Sequence, residues 1–151
     1  MRNTAPLPVR LCWLLTVLAV SQAGAAPPRN ALEVPEAWIR AIPGADVAAA
    51  YLTVQNPTAA AVTLTGVSSP AARSAMIHET RYQDHESRMR PKARLSIAPG
   101  QTLRFKEAGL HIMLEGLTQP LQVGQRVPLV LSLDGGHSIT VTAIVRPPGA
   151  G

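Results

Sequence analysis

Val127-Pro128-Leu129-Val130-Leu131-Ser132-Leu133, Asp134-Gly135-Gly136 and Ser138-Ile139-Thr140-Val141-Thr142-Ala143-Ile144-Val145 are two apolar, β-branched runs joined by a glycine turn. In the first run Val127, Leu129, Leu131 and Leu133 fall on alternate positions, the period of a strand with one buried face. Asp-Gly-Gly between two such runs predicts a tight hairpin. Moving back along the chain, the same pattern recurs. Strands are expected near 36–42, 48–55, 61–68, 73–80, 93–97, 101–106, 109–115, 126–133 and 137–146. Turn signals separate them at Pro43-Gly44, Asn56-Pro57, Ser69-Pro70 and Pro99-Gly100. Eight or nine short strands without a long helical period predict an all-β, antiparallel sandwich or barrel in a single domain. Thr80–Lys92 breaks the pattern, being polar and charged, and reads as a loop or short hairpin projecting between strands.

The N-terminus follows other rules. Arg2 and Arg10 precede an apolar run, Leu11-Cys12-Trp13-Leu14-Leu15-Thr16-Val17-Leu18-Ala19-Val20, and Ala23-Gly24-Ala25 supplies small residues for cleavage. This order predicts a secretory signal over residues 1–25, its apolar run too short to span a bilayer comfortably. The expected divisions are a signal at 1–25, a loose leader at 26–34, the β-domain at 35–147 and a frayed tail at 148–151. The exported chain would be periplasmic, start near Ala26 and have no stable membrane insertion. Removing 25 of 151 residues leaves 126, enough for one core, and losing Arg2 and Arg10 lowers the net charge from +5 to +3. So diffuse an excess suits an acidic docking surface, not nucleic acid, and aromatics at 3% are too few for base stacking.

Cys12, the one cysteine, lies in the expected signal. The exported chain then has no disulfide, thiolate nucleophile, iron–sulfur cluster or zinc–thiolate site, and Cys12 is misplaced to become a lipid-bearing first residue. Blue-copper electron transfer is excluded with the thiolate. No Gly-x-Ser-x-Gly elbow and no evident pair of acids speak for catalysis, so the chain is not expected to be an enzyme.

Chemistry concentrates in two segments. In Gly109-Leu110-His111-Ile112-Met113-Leu114-Glu115, alternation gives Leu110, Ile112 and Leu114 to the core and leaves His111, Met113 and Glu115 on the opposite face. His111 and Met113 would stand roughly 6.5–7 Å apart along the strand, a spacing at which two ligands can converge. In Ala75-Met76-Ile77-His78, a core-facing Ile77 would put Met76 and His78 on one face. Past residue 1 the chain has three methionines, 76, 89 and 113, all in these segments or between them. Thioether sulfur is soft and suits Cu(I) far better than zinc, magnesium or calcium, while imidazole accepts both Cu(I) and Cu(II).

His78, ten residues, Met89, twenty-one residues, His111, one residue, Met113 resembles the H-x10-M-x21-H-x-M signature of the PCuAC-type periplasmic copper chaperones. Further blocks resemble that family: Ala37-Trp38-Ile39-Arg40, Ala49-Ala50-Tyr51-Leu52, Ile77-His78-Glu79-Thr80, Met89-Arg90-Pro91 and Gly109 through Leu114. The resemblance implies a cupredoxin-like Greek-key sandwich, a monomer holding one Cu(I) on His78, Met89, His111 and Met113. It also implies delivery of that ion to a haem–copper oxidase subunit or a Sco-type thiol protein. Two departures stand out. Glu79 follows the first histidine where some members have Met, and no His- and Met-rich tail follows for a second site. Met76 stands open between a spare soft ligand and packing, the commoner use of methionine. His85 reads as a solvated loop residue within reach of a transient contact, His137 as structural, and Trp38 as core. Arg40, Arg88, Arg90 and Lys92 read as a solvated face. The rival function from another class is a metal-free sandwich module for protein interaction or assembly.

Overall fold

The computed structural model describes residues 32–83 and 86–149. The expected signal, most of the leader, His85 and the last two residues lie outside them. Ten strands follow in order: β1 (Glu33–Arg40), β2 (Val47–Gln55), β3 (Val62–Ser68), β4 (Ala72–Gln83) and β5 (Glu86–Pro91). Then come β6 (Leu95–Ile97), β7 (Thr102–Arg104), β8 (Leu110–Leu117), β9 (Arg126–Leu133) and β10 (Ser138–Arg146). Among the described residues no helix is long and apolar enough to cross a membrane.

The hairpin that decided the fold forms β9 and β10, paired from Ser138↔Ser132 to Ile144↔Arg126. Gly135 and Gly136 turn the chain at φ 70° and 77°, a left-handed conformation that other residues adopt at a cost. Val127, Leu129, Leu131 and Leu133 are buried, as alternation requires. The strands run β5-β4-β8-β2-β1-β10-β9-β3-β6 through one sheet, with β7 pairing β2 beyond β8. β3 also packs near β4, which brings the two ends of the path together. The sheet thereby encloses one core: Leu64, Leu129, Leu131 and Val145 on one side, Leu52, Val54, Ile77, Ile112 and Leu114 on the other. Burial of each such side chain contributes roughly 1.5–3 kcal/mol.

Two details differ from the sequence reading. β1 and β10 are parallel, Trp38↔Ile144 through Arg40↔Arg146, within an otherwise antiparallel fold. Parallel neighbours cannot be joined by a tight turn, and here nearly the whole domain separates them. β1 starts at Glu33, inside the stretch expected as leader, and Leu32 before it is buried. Of the two readings of Thr80–Lys92, the hairpin is the one that forms: β4 runs on to Gln83, and β5 returns along it from Gln83↔Glu86 to His78↔Pro91. All six β5 residues are exposed, so no apolar period marks that strand.

Candidate metal-binding face

β8 positions the first two residues. Ile112 and Leu114 are fully buried in the core, so His111 and Met113 emerge from the opposite face, as alternation predicted. β4 pairs with β8 in the register Met76↔Met113, Ile77↔Ile112, His78↔His111. Directly paired residues share a face, so His78 stands beside His111, their ring centroids 5.9 Å apart and edge to face at 82°. Met89 reaches the same face from β5, opposite Thr80. Four residues scattered from position 78 to 113 thus share one side of three adjacent strands.

The face is not uniformly shallow, as a wholly exposed site would be. His111 is 6% exposed, and His78 and Met113 are half-buried. Met89 is 52% exposed. Met89, His111 and Met113 line one open groove of about 370 Å³, whose far wall includes Arg40, Tyr51 and Glu107.

Each imidazole is prepared differently. The Nδ1 of His111 lies 3.0 Å from the Gly109 carbonyl, which can only accept. Nδ1 therefore carries the hydrogen of that bond, and in the neutral ring Nε2 keeps a free lone pair. Gly109 O also accepts the Thr80 amide at 3.0 Å, tying the start of β8 to β4. Ala108 just before it has φ 57°, uncommon for a residue with a Cβ, and lines the groove. His78 Nδ1 is the one buried side-chain nitrogen or oxygen among the described residues with no hydrogen-bond partner. Such an orphan costs about 1–3 kcal/mol, a cost that a bound cation would remove.

Charged side chains surround the His and Met residues. Arg81 and Lys92 both hold Glu79, at 2.9 and 3.1 Å, and these contacts lower its carboxyl below the usual 4.5. Arg40 pairs with Glu107 and lies 5.7 Å from the Tyr51 ring centre. Burial raises the Tyr51 phenol above 10.0, against the opposing effect of Arg40. Among the described residues no three His, Cys, Asp or Glu side chains cluster as a metal site.

Trp38 packs into the core as expected, in the smaller of two clusters among the described residues. Its neighbours Ile39 and Ala37 face the main core, and Trp38 itself packs with Ala49 and Tyr51. Its ring lies 4.4 Å from that of Tyr51, with Arg146 5.2 Å from its other side. Arg40 belongs to the groove wall and is not simply solvated. Sequence reasoning also missed the partnership of Met76 with Met113. The two lie thirty-seven positions apart, and the β4–β8 register joins them.

Together these features define a cupredoxin-like all-β domain carrying His and Met side chains on one sheet face. The LpqE-like family model, "Putative lipoprotein LpqE-like", matches residues 32–145, and the chain belongs to that family. A protein of Leifsonia xyli subsp. xyli (strain CTCB07), "Putative lipoprotein Lxx21020", is 32% identical over 118 residues, 78% of this chain and 70% of its own length. The CuI-DR1885 solution structure from Deinococcus radiodurans is 31% identical with a TM-score of 0.61, covering 88% of this chain and 89% of that one. Its apo form is 29% identical, with a TM-score of 0.63 and 99% of both chains covered. The copper-bound PCuAC domain from PmoF2 shares the fold at a TM-score of 0.65, covering 78% of this chain and 93% of that domain at 22% identity.

Proposed function

We propose that this protein is a copper chaperone, binding one Cu(I) through His78, Met89, His111 and Met113 and passing it to a receiving protein outside the cytoplasm. The observation that carries this reading is the cross-strand pair His78↔His111, with Met113 and Met89 on the same face and no carboxylate among them. Two thioethers and two neutral imidazoles add no charge, a donor set matched to a soft monovalent ion. The fixed tautomer of His111 and the orphaned Nδ1 of His78 leave nitrogen lone pairs available to it. The Cu(I)-bound state of DR1885, at 31% identity, supports the same cargo here.

The role is stoichiometric exchange without turnover. His111 holds the ion from within, while exposed Met89 leaves it reachable by an incoming ligand. Delivery to the copper centres of a haem–copper oxidase, directly or beside a Sco-type thiol protein, is the destination that the H-x10-M-x21-H-x-M spacing supports. Export on a signal cut near Ala26 fits that destination.

Copper-edge X-ray absorption on the Cu(I)-loaded protein tests the shell. Mixed sulfur and nitrogen scattering at one copper per chain is expected. Failure to take Cu(I) from a moderate-affinity chelator under reducing conditions would overturn the reading and leave a metal-free interaction module.

A further inference from the structure

The β4–β8 register does more than bring two histidines together. It sets Met76 opposite Met113 one step along the strands from the pair His78↔His111. These four residues form a two-by-two block on one face, with cross-strand neighbours about 4.5–5.5 Å apart at Cβ and successive same-face residues roughly 6.5–7 Å apart. Met89 sits outside the block, on the next strand and opposite Thr80. By backbone placement Met76 is as close to the histidines as Met89 is. It is also 38% exposed, which does not suit a methionine recruited to fill a core gap.

The two methionines open to different sides. Met89 lines the groove it shares with His111 and Met113. Met76 lines a second groove, of about 270 Å³, with Thr65, Val67, Pro91 and Lys92. Lys92 is held on Glu79 at 3.1 Å, so the ammonium in that groove is already paired.

We infer that Met76 is a second thioether station for Cu(I), exchanging with Met89, so that the ion held on His78, His111 and Met113 can be reached from either groove. The inference rests on the copper reading above. In the exchange a Cu–S bond to Met89 breaks as one to Met76 forms. Copper stays monovalent, both thioethers stay neutral, and no proton moves. An alternative thioether lowers the barrier to entry and exit alike while adding little at equilibrium, because an even split between two ligands changes affinity only about twofold.

Methyl-labelled methionine in the purified protein reads this directly by NMR, with signals assigned from Leu variants. On adding one equivalent of Cu(I) without oxygen, the Met76 methyl is expected to shift together with those of Met89 and Met113. A Met76 methyl that stays fixed while Met113 moves overturns the inference and leaves the chaperone reading intact. If no methionine methyl moves, the copper shell itself is wrong. Kinetics supply a second readout: Met76→Leu should slow Cu(I) transfer to a chromogenic chelator by about tenfold with Kd changed about twofold at most. An unchanged transfer rate in that variant also overturns it.

Discussion

His111 is committed on both sides of its ring: Nδ1–H is spent on Gly109 O, and the ring is almost wholly covered by neighbours. It cannot swing out to meet an acceptor, so exchange has to occur at the sulfur ligands, which are more exposed. Met113 divides these duties, half-buried next to a fully buried Ile112. Met113→Ala is expected to weaken Cu(I) binding more than Cu(II) binding, because only the softer ion depends on the thioether. Competition titrations with each oxidation state check this, and equal losses would count against sulfur selectivity. The core beneath is unaltered by the change, so the thermal transition should move little.

Among the elements, β2 is the frame on which the face is built, pairing with β1, β8 and β7. Its end is clamped by Asn56, 1% exposed, whose Nδ2 donates to Ala60 O and Ile97 O, both at 2.8 Å. Its Oδ1 accepts the amide and hydroxyl of Thr58 at 3.0 and 2.7 Å. Asn56→Ala should cost about 1–3 kcal/mol, chiefly by stranding the buried Ile97 carbonyl. Urea unfolding would show a lower midpoint at unchanged slope, with Cu(I) affinity retained in the folded fraction. How far such elements can be read from residues alone depends on burial. β9 and β10 are legible because alternate leucines and valines are buried and the turn demands glycine. β8 is legible for the same reason, and with it the outward face of His111 and Met113. β5 is not, since every side chain along it is exposed and hydrogen bonding of the backbone leaves no trace in composition. Trp38 is legible as core, though a large aromatic signals burial without saying which cluster it joins. The pairing of Met76 with Met113 and the parallel contact of β1 with β10 depend on register between distant segments, which no local pattern encodes.

For the whole molecule, the order of strands matters more than their number. Among the described residues β8 lies inside the sheet between β4 and β2, β4 lies one place further out, and β5 ends the path paired to β4. The proposed ligands are spread over these three strands: Met113 and His111 on β8, His78 on β4, Met89 on β5. An edge strand with no buried side chain is the first part of such a fold to fray, opening locally at far less than the global unfolding free energy. A copper ion bonded to all three strands would act as a clasp across that margin, fastening the loosest strand to the firmest. Cargo would then change the mechanics of one hairpin and little else in the fold. Hydrogen–deuterium exchange should show the amides of Glu86–Arg90 slowing when Cu(I) is added, with those of β8 hardly altered; equal exchange in β5 with and without the ion would mean that Met89 is not fastened. Loaded protein would present a partner with one added positive charge at the groove and a stiffer edge, a distinction that a receiving protein can sense before it touches the metal.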